Sequence, residues 1–236
     1  MPSEILTQTT HHQTFLHFIS HPEHSPAKGI VLLAPTWAGR DTFLCNKADE
    51  LTQLGYIGIA LDLYGDGTVG QSNEENNQLM SPLMSNRKQL HAILLGAVET
   101  IKNQPFAKHL SLAAIGFCFG GLCVLDLARI NAEVTGVVSF HGLLSPPENL
   151  TTEEIKPMVL TLHGYQDPMA TPAQLQAFQE EMLTHNANWE VCSYGQALHA
   201  FTNPSANDPE FGTVYHAEIS ERAWQRMNSF LHACFS

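Results

Sequence analysis

Positive charge is scarce in this chain: 11 lysines and arginines stand against 23 aspartates and glutamates, a formal net charge of −12. Such a surface repels phosphate backbones and anionic lipid heads, so neither nucleic acid nor membrane is an expected partner. No apolar run approaches the roughly 20 residues that a membrane-spanning helix needs. Met1-Pro-Ser-Glu lacks a basic start and a following apolar stretch, so no secretory leader is expected. The five cysteines, at 45, 118, 123, 192 and 234, lack paired metal-type spacing. Free thiols in a reducing, cytoplasmic setting are the economical reading. No repeat, low-complexity tract or charge block marks a linker, and a single domain over residues 1–236 is expected.

Hydrophobic residues make up 44% of the chain, enough to build a large core. Histidines are plentiful, and His11, His12, His17, His21 and His24 crowd the N-terminus. That segment reads as an extended, solvated hairpin rather than a ligand-bearing helix, so no metal site is expected there.

Beyond it, strands and helices alternate. Gly29–Ala34, Ile57–Leu61, Leu110–Ile115, Gly136–Phe140, Met158–His163 and Trp189–Tyr194 read as strands, several apolar throughout. A helix is predicted from about Thr42 to Leu54, with Asp41 as its N-cap and Gly55 as its terminator. Others are predicted over Arg87–Lys102, Phe119–Arg129 and about Glu218–Phe235. One more starts at Thr171-Pro-Ala-Gln174, which has capping-box spacing. Residues from Asp62 to about Asn86 read as a polar loop rich in Gly, Asn and Glu. The pattern means an α/β fold with a mostly parallel central sheet flanked by helices.

The chemistry concentrates in Ala114-Ile-Gly-Phe-Cys-Phe-Gly-Gly121, between a strand and a helix. Gly116-x-Cys118-x-Gly120 has the spacing of a nucleophile elbow. Strand and helix backbones meet closely there, and glycine on either side of the central residue removes the Cβ atoms that would clash. The helix starting at Phe119 points its positive end at the Cys118 sulfur, favouring thiolate. A buried structural cysteine beside a tight turn is the blander alternative.

Two partners follow in chain order. Asp167 lies in Gly164-Tyr-Gln-Asp-Pro168 after one strand, and His199 in Gly195-Gln-Ala-Leu-His199 after the next. Nucleophile, acid, histidine is a known triad order, and loops beyond the carboxyl ends of parallel strands are where catalytic groups gather. Taken singly, Asp before Pro is often a turn residue, and a loop histidine is often inert. Backbone N–H groups of Phe119 and of Trp37, in Ala34-Pro-Thr-Trp-Ala-Gly-Arg40, are the expected oxyanion donors.

These segments resemble the dienelactone hydrolase (carboxymethylenebutenolidase) family of the α/β-hydrolase superfamily. The resemblance runs from about Gly29 to Phe235 and rests on Gly-Phe-Cys-Phe-Gly-Gly, Leu-Asp-Leu-Tyr-Gly (61–65), Leu-His-Gly-Tyr-Gln-Asp-Pro (162–168) and His-Ala-Phe-Thr (199–202). It implies a compact α/β-hydrolase fold with little or no cap, and cofactor-free hydrolysis of a small lactone or ester through a cysteinyl acyl-enzyme. Characterised members carry a glutamate in the first loop, where Thr36 stands here. They also carry a serine and an arginine after the catalytic histidine, where Ala200 and Asn203 stand. Arg87 and Arg40 are then the candidate anchors for a substrate carboxylate, and Arg87→Ala is expected to raise KM for such substrates. His141 and His163 lie at strand ends without an assigned role.

The partner implied is a small-molecule ester or lactone, bound by a monomer or weak homo-oligomer. A catalytically silent binding protein on the same scaffold is one alternative. A thiol redox sensor at Cys118 is another, though it lacks a resolving partner because Cys123 should face the core.

Overall fold

A computed structural model describes residues 2–10, 13–23, 26–148 and 151–236. The chain opens with an antiparallel hairpin, β1 (Ser3–Thr10) and β2 (Gln13–Ser20). Then come β3 (Ile30–Ala34), α1 (Thr42–Gln53), β4 (Ile57–Ala60), α2 (Asn73–Ser85) and α3 (Arg87–Lys102). After them run β5 (Leu112–Phe117), α4 (Phe119–Arg129), β6 (Gly136–Phe140), β7 (Met158–Gly164), α5 (Pro172–Thr184) and β8 (Trp189–Tyr194). A two-residue ribbon, β9 (Asn207–Asp208) with β10 (Thr213–Val214), precedes α6 (Ala217–Phe235). Eight strands form one sheet in the order β1-β2-β4-β3-β5-β6-β7-β8. Pairing is parallel from β4 through β8, and β2 joins β4 antiparallel.

Side chains alternate across each strand, which divides the apolar strands between two cores. Ile30, Leu32, Ala114, Val137 and Val159 meet Leu90, Leu94, Leu122, Leu125 and Phe178 from α3, α4 and α5. Val31, Leu33, Ile115, Val138 and Leu160 meet Leu44, Ala48, Ala223, Met227 and Leu231 from α1 and α6. Both faces are covered, so β3 to β7 read as near-continuous apolar runs.

Local signals set most helix ends. The Asp41 carboxylate accepts the Leu44 N–H at 3.0 Å, and Gly55 sits at φ +90° just past α1. Thr171 and Gln174 form the capping box that starts α5.

Three expectations change. Residues 73–85, read as loop, are helical: Ser72 caps Glu75 N–H, and Leu83 turns inward against α3. The strand expected at Leu110–Ile115 runs two residues later, because Leu110 closes a turn onto Ala107 instead of entering the sheet. The hairpin is less solvated than expected, since Phe15, His17, Ile19 and Ser20 are buried where β2 joins the main sheet beside β4.

Of the N-terminal histidines, His11, His12 and His24 lie outside the described residues. His21 pairs with Glu4 and stacks edge-on against Phe106. His17 is fully buried: its Nδ1 accepts the Asp62 N–H at 3.1 Å, so Nε2 carries the proton and donates to Gln8 Oε1 at 2.8 Å. Burial pushes the His17 pKa down to about 4, with Asp62 opposing and Arg40 assisting. The sign follows. Above pH 6.5 both folded and unfolded chains hold this ring neutral; as pH falls toward 4, only the unfolded chain takes the proton, and stability drops. Urea unfolding is expected to lose about 3 kcal/mol through this residue between pH 7 and pH 4. His17→Gln, which keeps a neutral polar side chain, should lose correspondingly less over that range.

Candidate active site

Strand β5 ends at Phe117, and the chain turns abruptly at Cys118 into α4. Cys118 sits at φ +54°, ψ −115°, a strained conformation for a residue with a Cβ. The neighbouring glycines are obligatory. A Cβ at Gly116 would lie 2.0 Å from the Gly120 carbonyl oxygen, and one at Gly120 would lie 2.1 Å from that of Ala34. The turn is further held by the Cys118 N–H donating to the Phe140 carbonyl at 3.1 Å. Half-buried Cys118 therefore stands at the first turn of a helix with free N–H groups pointing its way.

Asp167 follows β7, and His199 lies in the loop after β8. Both are buried. Asp167 Oδ1 accepts the N–H groups of Met169 (2.8 Å) and Ala170 (3.2 Å). Its Oδ2 accepts from His199 Nδ1 at 2.7 Å. This leaves His199 Nε2 buried and without a partner at hydrogen-bonding geometry among the described residues. The Cys118 thiol nevertheless lies within electrostatic reach of that ring. Burial works to lower the His199 pKa, but the Cys118 charge, with Asp167 behind it, outweighs burial and holds it up at about 10.

The other shared segments support this triangle. Asp62 accepts four N–H groups, from Leu16, Tyr64, Gly65 and Gly67, at 2.8–3.0 Å, and so shapes the loop after β4. That loop presents Tyr64, whose hydroxyl donates to the Trp37 carbonyl at 2.9 Å. Burial pushes the Tyr64 pKa up, which keeps the donor proton in place. The Thr36–Gly39 turn closes with Gly39 N–H on Thr36 O at 3.1 Å, while Thr36 Oγ1 accepts the Ala38 N–H at 3.3 Å. Trp37 N–H has no acceptor among the described residues, and Phe119, as the first residue of α4, has no helical partner for its own.

His141 bonds Thr202 Oγ1 at 2.8 Å and stands edge-on to the His199 ring, 5.2 Å away, with Phe201 on its other side. Burial, then the His199 charge, lowers the His141 pKa well below its usual value, so it packs as a neutral ring. His163 is buried near Asp167, and burial lowers its pKa as well.

A cavity of about 590 Å³ opens over Cys118 and His199. Trp37, Met80, Leu143, Met169 and Phe211 supply its apolar wall, with Trp37 and Phe211 stacked at 5.9 Å. Asn73, Asn203, Asn207 and Asp208 are among its polar lining. Sequence reasoning missed Asn73 and Met80 with α2, although Ser72-x-x-Glu75 is a helix-start signal. It also missed Phe211 and the β9–β10 ribbon, whose short, polar strands carry no periodic signal.

Of the three substrate-binding candidates, only Thr36 lines this cavity. Arg87 does not, because Asp126 of α4 takes it: Nε and Nη2 both reach that carboxylate at 2.7 Å. Arg40 does not either. Gly39, at φ +94°, turns the chain between Trp37 and Arg40, and the guanidinium lies 3.6 Å from Cys45 Sγ and beside Gly67. Cys123 is sealed in the core, and burial pushes its thiol pKa well up, which disqualifies it as a resolving thiol.

Among the described residues, none groups with others into a cluster of three or more metal-ligating side chains, and no helix is long and apolar enough to cross a membrane.

The chain as a whole is similar to known proteins. A Caenorhabditis elegans protein of uncharacterised function is 36% identical over 146 residues, covering 61% of this chain and 92% of its own. The solved structure named m3DLH is 31% identical, covers 100% of this chain and 99% of its own, and superposes with a TM-score of 0.93. A dienelactone hydrolase-like promiscuous phosphotriesterase from metagenomic libraries is 28% identical, with coverage of 100% and 99% and a TM-score of 0.93. Residues 15–235 match the dienelactone hydrolase family. This chain belongs to the dienelactone hydrolase family, has the α/β-hydrolase fold, and is a lactone or ester hydrolase.

Proposed function

We propose that Cys118, His199 and Asp167 hydrolyse a small carboxylic ester or lactone through a cysteinyl acyl-enzyme. The observation that carries this reading is the 2.7 Å His199–Asp167 hydrogen bond, which leaves the ring's other nitrogen without a partner among the described residues, in the cavity that the strained Cys118 elbow also lines. Proton transfer from thiol to His199 makes an ion pair, and Asp167 orients and supports the imidazolium. The thiolate attacks the carbonyl carbon, and a sulfur–carbon bond forms. Trp37 and Phe119 N–H groups stabilise the oxyanion, each worth about 10²–10³ in rate.

Collapse expels the alkoxide, which takes the proton from His199. Charge on Cys118 is the main influence raising the His199 pKa against burial. Once the sulfur is acylated that charge is gone, and burial favours the neutral ring. His199 is thereby turned from an acid into a base. It then takes a proton from water, hydroxide adds to the thioester, and loss of the acid restores the ion pair.

Challenge with a panel of activated esters and lactones, rapid quenching and intact-mass measurement test this directly. The expected result is a mass gain equal to the acyl group, mapped to the peptide bearing Cys118 and decaying as product forms. Turnover with the acyl group on a different residue would overturn the reading.

A second reading has the same thiolate attacking phosphorus in a neutral phosphotriester. The 28% identity with the promiscuous phosphotriesterase supports it, and release of the aryl alcohol from an aryl dialkyl phosphate would check it.

A further inference from the structure

We infer that the cavity selects uncharged esters, with Asn203 as a specificity-determining donor. The inference rests on the hydrolytic reading above and names the substrate class it serves.

Three observations carry it. First, among the described residues no lysine or arginine lines the cavity. Both arginines within reach by sequence are committed elsewhere, to Asp126 and to the Cys45 side of the first loop. The Cys118–His199 pair adds no net charge, so among the described residues the one other formal charge on the wall is the Asp208 carboxylate. A chain of net charge −12 adds to the unfavourable potential for an incoming anion.

Second, the polar wall offers neutral donors whose capacity is unspent. Asn203 Oδ1 accepts the Ser205 N–H at 3.0 Å, which fixes the amide with its nitrogen as the free end. No hydrogen bond within the described residues uses the side chains of Asn73 or Asn207. Amide N–H groups recognise carbonyl, ether and hydroxyl oxygens without requiring charge on the ligand.

Third, much of the remaining lining is apolar, with the Trp37–Phe211 stack and two methionines, Met80 and Met169, whose flexible thioethers adapt to irregular groups. A carboxylate placed there would be desolvated without a counter-charge.

The test compares two aryl esters of equal acyl-chain length, one ending in a methyl group and one in a carboxylate. Each rate is corrected for uncatalysed hydrolysis. The neutral ester is expected to show a kcat/KM about tenfold or more above the anionic one. Asn203→Arg should shift that ratio about tenfold toward the anionic ester, because a guanidinium pairs with a carboxylate far better than an amide does. Asn203→Ala should lower kcat/KM for neutral esters bearing a second oxygen by about two- to tenfold, through KM. Equal kcat/KM for the two esters in the unmodified protein would overturn the inference and leave the hydrolytic reading standing. Failure to cleave either ester, with no acyl group on Cys118, would instead overturn the hydrolytic reading and the inference with it.

Discussion

Replacing Cys118 with alanine is expected to lower kcat/KM for an activated ester by about 10⁴-fold or more, while the folded protein survives. The sulfur is half-buried, lines the cavity and donates no hydrogen bond among the described residues. Alanine keeps the Cβ that the elbow already tolerates at φ +54°, so no new backbone strain arises. The elbow itself is held by the Cys118 N–H on Phe140 and by the flanking glycines, all retained. Steady-state kinetics beside a thermal melt check this. Activity within about tenfold of the unmodified protein would mean that another group attacks the carbonyl.

The largest stability effect is expected at Asp126. This carboxylate is fully buried on α4 and accepts from Arg87 Nε and Nη2, His91 Nε2 (2.8 Å) and Arg129 Nη1 (3.2 Å). Burial alone would raise its pKa, but the His91 and Arg87 hydrogen bonds and the two guanidinium charges outweigh that and lower it. Asp126→Ala leaves the nearly buried Arg87 with the Ser145 carbonyl at 3.3 Å in place of its carboxylate, and strands part of the fully buried Arg129, which keeps Glu181 and the Leu144 carbonyl. Breaking one side of a buried pair costs about 3–5 kcal/mol, a fall of about 10 °C in Tm for a chain this size. Urea unfolding would measure it, and a loss below about 1 kcal/mol would show the network to be dispensable.

That network also revises what Arg87 does. Arg87→Ala is expected to destabilise α3 against α4 rather than raise KM for a carboxylate substrate. From sequence, an arginine at a helix N-terminus asks for some compensating contact, and it has one. What sequence could not supply is the partner: Asp126 lies 39 residues on, in the next helix, and only the packing of α3 against α4 brings the two together.

The legible parts share a cause. Gly116, Gly120 and Cys118 are read easily because a tight strand–helix turn admits few residue types, so sterics write it into the sequence. Asp167 and His199 are legible through order along a parallel sheet, and both sit at the carboxyl ends of β7 and β8. The strands of the double-sided core are legible because burial on both faces demands apolar residues throughout. The cavity wall is a different case. Asn73, Asn203, Asn207 and Phe211 come from a polar helix, the loop after His199 and a short ribbon, where composition resembles any exposed loop. Their role exists only once the chain has folded over the elbow.

In the proposed mechanism, His199 makes the Cys118 sulfur the most reactive thiol in the molecule. Limiting iodoacetamide followed by peptide mapping, on the unmodified protein and on His199→Ala, tests it most directly. Cys118 is expected to label ahead of half-buried Cys45 and Cys192, whose pKa values burial raises, and to slow about tenfold or more once His199 is gone. Faster labelling at Cys45 or Cys192, or a Cys118 rate indifferent to the loss of His199, would contradict it.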